Sequence, residues 1–315
     1  LDAGRWVLNH NNLIFLPERG CCVKNQPPVT EIIQKRYSCR TYSQAAISKS
    51  QQASLDRFLA ENRTGPFGSN LRFRLIAASL EAQSDLKDLG TYGAIKNPAG
   101  FIIGAVKDEP NSLEDYGYAM EKNILFAARM NLGTCWLGGT FTKSAFADKM
   151  GLQANESMPA VAATGHVGSK KSLLEKTMRW GAGADSRKPR QTLFFDGAFG
   201  RPLSSEASGE WNTPLEMVRI GPSASNQQPW RIVKHADNNT FYFYLQRTKR
   251  YQTRNRILFG MADLQRVDMG IAMCHFEMTA FDLGLAGQWR FEEPDIGRLP
   301  EQTSYVASWE AKTHE

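Results

Sequence analysis

Arg36-Tyr37-Ser38-Cys39-Arg40 sets two guanidinium groups and a hydroxyl at every second position. In an extended segment, alternate residues point to one side. Such a row suits a phosphate joined to a polyol chain, because the rigid arginine fork matches phosphate oxygens. Taken alone, the pattern equally fits a solvated surface stretch or a kinase-type site. A second run, Gly221-Pro222-Ser223-Ala224-Ser225-Asn226-Gln227-Gln228-Pro229-Trp230, packs hydroxyls, side-chain amides and prolines into a stiff turn. Its Ser, Asn and Gln groups donate and accept together, which suits a heterocycle of mixed polarity. A plain polar turn leading into a strand is the alternative. Leu137-Gly138-Gly139-Thr140-Phe141 lets a ring approach backbone amides, or is a simple turn. Ser186-Arg187-Lys188-Pro189-Arg190 gathers cations that could close on a phosphate or serve as a basic linker.

These runs need elements to hold them, and the chain supplies a repeated set. Asp115-Tyr116-Gly117-Tyr118-Ala119-Met120, ending in Leu132-Gly133-Thr134-Cys135-Trp136, matches Asp268-Met269-Gly270-Ile271-Ala272-Met273, ending in Leu285-Ala286-Gly287-Gln288-Trp289. The offset is 153 residues at both ends, 268 less 115 and 289 less 136. Both copies read as helices rich in small and apolar residues that run into a turn and a tryptophan. An earlier pair also aligns: Gly65-Pro66-Phe67-Gly68-Ser69-Asn70 with Gly221–Asn226. Each of these turns follows a helical pattern (Leu55, Phe58, Leu59; Leu215, Val218, Ile220) and precedes a strand-like run (Leu71–Ala78; Arg231–Lys234). A helix that is apolar over most of its surface needs a partner, and a fused copy supplies one. The period is too long for a solenoid, so the repeat reads as an intrachain pseudo-dimer.

Composition bounds the possibilities. The chain has 315 residues, 42% hydrophobic and 22% charged, and a net charge of +6. This is the profile of a globular protein with room for a sizeable core. The positive balance suits an anionic small molecule, a nucleic acid or a membrane surface. No basic stripe interleaved with aromatics argues for nucleic acid, and no stretch has the length of a membrane span. The five cysteines and five histidines are scattered, without disulfide or metal-ligand spacing, so a reducing, cytoplasmic setting and no metal are expected. Residues 1–28 show no clear period and end in Pro27-Pro28.

Together the motifs resemble the FMN-dependent nitroreductases, in particular the single-chain members that carry two fused halves. The resemblance covers roughly residues 30–310. It implies an α+β nitroreductase-like fold, with 1–29 as an N-terminal extension, 30–200 as the first half with a linker and 201–315 as the second half. It also implies an FMN-dependent NAD(P)H oxidoreductase. Hydride passes from NADH or NADPH to flavin N5, then to a nitroaromatic, quinone or similar small-molecule acceptor. No protein catalytic group is required. By the resemblance, Arg36, Arg187 and Lys188 face the FMN phosphate, and Ser38 faces the ribityl chain or pyrimidine. Arg40 faces the flavin's N1–O2 edge or the nearby ribityl. Gly138 and Gly139 place an amide near N5. Pro222, Ser223, Ala224, Ser225, Asn226 and Gln228 approach from the second half. The late basic pair is assigned to the first half.

The converse composite site lacks its parts. No R-x-S-x-R precedes the second turn, Trp289 is followed by Arg290-Phe291-Glu292-Glu293, and the first turn lacks Gln-Pro-Trp. One FMN per chain is therefore expected, in a chain that works as a monomer because its dimer is fused. Lys96 is expected at the surface, Trp136 and Trp289 in the core, and Cys39 as a small packed residue. The rival readings are a flavin-binding storage or sensing protein without turnover, an inactive pseudo-dimer, and a basic module for acidic partners.

Overall fold

The computed structural model describes residues 5–9, 12–16, 27–77, 86, 89–168, 186–249, 251 and 261–312. Its contacts divide it into two units, Leu1–Glu175 and Lys176–Glu315. The division falls ahead of the expected 200/201 boundary, because the short strand Phe194–Asp196 pairs with Trp230–Lys234 of the second unit's sheet.

The first unit opens with a hairpin inside the stretch that shows no sequence period. Strand β1 (Arg5–Asn9) pairs antiparallel with β2 (Asn12–Leu16), Asn9 opposite Asn12. Helix α1 (Val29–Lys35) follows the proline pair. Helix α2 (Lys49–Glu61) starts at a capping box, in which the Ser48 hydroxyl accepts from Gln51 N and the Gln51 side chain accepts from Ser48 N. Its Leu55, Phe58 and Leu59 are buried, as their helical spacing requires.

The sheet consists of β3 (Leu71–Ala77), β4 (Gly100–Lys107), β5 (Gly133–Leu137) and β7 (Val161–Gly165), with the short β6 (Glu156–Ser157) beside β4. The order is β3-β4-β7-β5, and every pairing is antiparallel. Helix α3 (Ser112–Arg129) lies in the core, where Tyr116, Ala119, Met120 and Ile124 meet Leu55, Leu59, Leu71 and Ile102. The short α4 (Lys143–Met150) follows β5.

The second unit repeats this plan. Strand β8 (Phe194–Asp196) and helix α5 (Asn212–Arg219) precede β9 (Trp230–Lys234) and β10 (Thr240–Gln246). Helix α6 (Leu264–Asp282), β11 (Gly287–Arg290) and β12 (Thr303–Ala311) complete it. The sheet order β9-β10-β12-β11 is that of β3-β4-β7-β5, again antiparallel throughout, and β8 adds a parallel strand outside β9. Phe276 of α6 anchors an aromatic core, with ring centroids 5.2 Å from Phe241, 5.3 Å from Phe243 and 5.6 Å from Trp211.

The repeat register holds at the ends of the two long helices. Helix α3 ends with Asn131 at φ 60°, and Leu132 N donates to Ala127 O at 3.1 Å. Helix α6 ends with Gly284 at φ 79°, and Leu285 N donates to Ala280 O at 2.8 Å. Both are left-handed C-caps of the Schellman type, offset by the same 153 residues as the sequence match, 284 less 131. Among the described residues no helix is long and apolar enough to cross a membrane.

Candidate functional site

In the first unit, α1 ends at Arg36, whose φ −65° and ψ 130° turn the chain into an extended path. That path runs along the open side of β5. Ser38 bridges Thr134 in parallel, Cys39 N donates to Thr134 O at 2.9 Å, and Lys96 N donates to Arg40 O at 2.8 Å. Strand β5 then leads directly into Gly138 and Gly139. The arginine-serine motif and the strand that delivers the glycine pair are thus laid side by side. Cys39 is buried as expected, and Lys96 is exposed.

The Arg36 side chain is 6% exposed, with Nε 3.9 Å from Glu121 Oε1. Glu121 is fully buried and also accepts from Trp136 Nε1 at 2.6 Å. Among the described residues, Arg36 Nε and Nη1 and Arg40 Nη1 are shut off from solvent without a hydrogen-bond partner. The hydroxyls of Thr41, next to the motif, and of Thr134, on β5, are in the same condition. Buried donors are normally satisfied, and orphaned guanidinium nitrogens are the most costly kind. Their concentration at one motif fits an anion-binding place.

In the second unit, the Ser223–Gln228 turn is held from three sides. Asp268 Oδ1 accepts from Ala224 N at 2.9 Å, and Ser223 Oγ accepts from Gln228 N at 2.9 Å. Ser225, Asn226 and Gln228 all take left-handed φ values, 49°, 53° and 47°. Such backbone is strained for residues other than glycine and persists only where the surroundings fix it. The surroundings here are the basic segment. Asn226 Nδ2 donates to Ser186 O, Arg187 Nη1 donates to Asn226 Oδ1, and Lys188 N donates to Gln228 Oε1 at 2.8 Å.

Two expectations change as a result. Arg187 and Lys188 belong with the second unit's turn rather than with the first half, because their backbone and side chains are tied to Ile220, Asn226 and Gln228. Gln228 is buried with its amide engaged inside the chain, so it positions the basic segment. Pro222, Ser223, Ala224 and Asn226 are partly exposed, and Ser225 is exposed. Burial, aided by the neighbouring Arg231 guanidinium, brings the Lys188 ammonium down to about 8.

The family model described as "Putative TM nitroreductase" matches residues 28–280. This chain belongs to that nitroreductase family. A structure described as a putative nitroreductase from Thermotoga maritima MSB8 has 16% identity and a TM-score of 0.56, covering 93% of this chain and 97% of its own. That likeness establishes the nitroreductase fold. An "FMN-dependent Nitroreductase" from Clostridium difficile R20291 has 17% identity and a TM-score of 0.35, covering 45% of this chain and 88% of its own. A "Putative NADH dehydrogenase/NAD(P)H nitroreductase" from Parabacteroides distasonis ATCC 8503 has 18% identity and a TM-score of 0.36, covering 47% and 91%. No curated protein matches the chain.

The nitroreductase chain also uses residues that motif reading passes over. Asp115 accepts from Phe67 N and Ser69 N, both at 2.8 Å, as Asp268 accepts from Ala224 N. The conserved spacing of the two aspartates within the repeat was the available signal. Burial raises Asp115 to about 6, against the hydrogen bonds from Phe67 and Ser69 that lower it. Trp289 Nε1 donates to Glu277 as Trp136 donates to Glu121, but the glutamate sits three positions later relative to the 153-residue offset, 277 less 121 being 156. The chemistry recurs there while the position slides by about one helical turn.

Proposed function

We propose that this nitroreductase-family chain is an FMN-dependent NAD(P)H oxidoreductase with one FMN per chain, built as a fused pseudo-dimer. The observation that carries the reading is the set of buried guanidinium nitrogens on Arg36 and Arg40 that have no hydrogen-bond partner among the described residues. Cations in that condition, beside hydroxyls and a glycine pair, fit the phosphate-bearing end and polyol of FMN. Bound FMN would supply the hydride chemistry, with NADH or NADPH as donor and a nitroaromatic, quinone or similar electrophile as acceptor.

The chain's own part is binding and electrostatics. Arg36, within ion-pair range of Glu121, would supply charge for the phosphate. Ser38 offers a hydroxyl to the ribityl chain. Arg40 would hold a fixed cation toward the flavin's N1–O2 edge or the nearby ribityl, where it would favour the charge of the reduced ring. Gly138 and Gly139 leave backbone amides open to a ring. In the second unit, Ser223, Ala224, Ser225 and Asn226 present mixed donors and acceptors, with Arg187 and Lys188 as additional cations.

Purified protein mixed with FMN and freed of excess by gel filtration is expected to retain the flavin's visible absorption. It is further expected to oxidise NADH or NADPH when a quinone is present. Protein that emerges colourless would overturn the reading. Retained flavin without turnover would favour the storage or sensing alternative.

A further inference from the structure

We infer that Arg231 and Lys188 form a binding site for a phosphate monoester on the second unit. Arg231 lies in β9 and is 8% exposed. Its Nη1 donates to Gln228 O at 3.1 Å and to Trp230 O at 2.6 Å. Lys188 Nζ donates to the same Gln228 O at 3.3 Å. Two cations therefore converge on one neutral carbonyl. Among the described residues neither has a carboxylate within ion-pair range, and Arg231 Nε and Nη2 have no hydrogen-bond partner. Other partly buried arginines show the ordinary solution: Arg72 pairs with Glu156, Arg219 with Glu216 and Arg247 with Asp263.

A buried guanidinium and a half-buried ammonium sharing a carbonyl repel each other, and a carbonyl dipole is a poor substitute for a counter-anion. A tyrosine lies on the same face of the sheet. Tyr244 stands directly opposite Arg231 in the β9–β10 register, so their side chains share that face. Tyr244 is fully buried, and its hydroxyl has no partner among the described residues. A fork and an ammonium on one carbonyl match a doubly charged oxyanion, which describes a phosphate monoester better than a carboxylate.

That group has three sources: the phosphate of FMN, the 2′-phosphate of NADPH, and free phosphate. The first two rest on the function proposed above. Arg231→Met and Lys188→Met are compared with the unaltered protein in three titrations. The first is FMN against riboflavin by flavin fluorescence. The second is NADPH against NADH by KM and by direct binding. The third is thermal midpoint in inorganic phosphate against chloride at equal ionic strength.

The expected result is a loss of about tenfold or more in preference for the phosphorylated member of one pair, the usual size for a charged hydrogen bond. Loss in the FMN pair assigns the flavin phosphate, and loss in the NADPH pair assigns the donor. Loss confined to stabilisation by inorganic phosphate assigns the free ion. If both variants keep every preference, the site is overturned. Should the unaltered protein bind no flavin, the proposed function falls while the phosphate titration still decides the site. Lys188 is partly exposed, so Lys188→Met carries the test if Arg231→Met does not fold.

Discussion

Arg36 and Arg40 hold their charge at the edge of the first sheet, with Glu121 the carboxylate in range of Arg36. Arg36 Nε stands 3.9 Å from its acid, Glu121, which leaves much of the guanidinium free to meet an anion. Arg36→Ala is therefore expected to weaken FMN binding by about 1.5–3 kcal/mol, measured by fluorescence titration. The thermal midpoint of the flavin-free protein should fall, because Glu121 is left buried without that cation, so affinity is read well below the transition. An unchanged FMN affinity would count against the assignment. Lys188 gives a pH test. An unfolded lysine keeps its proton to its ordinary 10.5, whereas burial releases it at about 8 in the folded chain. Between those values the unfolded chain binds more protons, so stability rises with pH; below about 8 the burial penalty is at its full size. Lys188→Met is expected to flatten that rise, read as urea midpoints across the window. At this scale the sequence showed the row of charge, because alternation in an extended segment is a geometric rule. It did not show that Gln228 turns its amide inward to Lys188 N, because an amide suits a ligand and a backbone equally well.

At the scale of elements, each long helix holds its turn through one aspartate, Asp115 in α3 and Asp268 in α6. A Cβ on Gly65 would stand 2.2 Å from Asp115 Oδ1, so the turn comes closer to the helix than any side chain permits. Asp115→Ala strands the N–H groups of Phe67 and Ser69 and is expected to lower stability by about 3 kcal/mol, measured by denaturant unfolding. A loss near zero would mean that water replaces the carboxylate. The helices, the turns and the strands after them were legible because hydrophobic period and repetition agreed over the same residues. The β1–β2 hairpin was not, since its short strands lack the alternation of a half-buried sheet. Strand β8 was hidden for a related reason. Three residues with a parallel partner far along the chain carry little local signal.

For the whole molecule, the repeat extends from the sequence match to the sheet order and the helix caps, while the motif residues do not repeat. Flavin stoichiometry is the measurement suited to that asymmetry. One FMN per chain is expected from protein concentration and released flavin, and two tightly held FMN would overturn the account.

Strand β8 has a practical consequence. It lies outside β9 and is the strand that closes that side of the second sheet. A fragment begun at residue 201 would expose the backbone groups of β9 as an open template, and open edges recruit other chains. Such a fragment should accumulate in inclusion bodies or form oligomers, whereas one begun at residue 186 carries its own edge cover. Anyone dividing this protein for crystallography or for grafting its second sheet elsewhere should cut ahead of the basic segment.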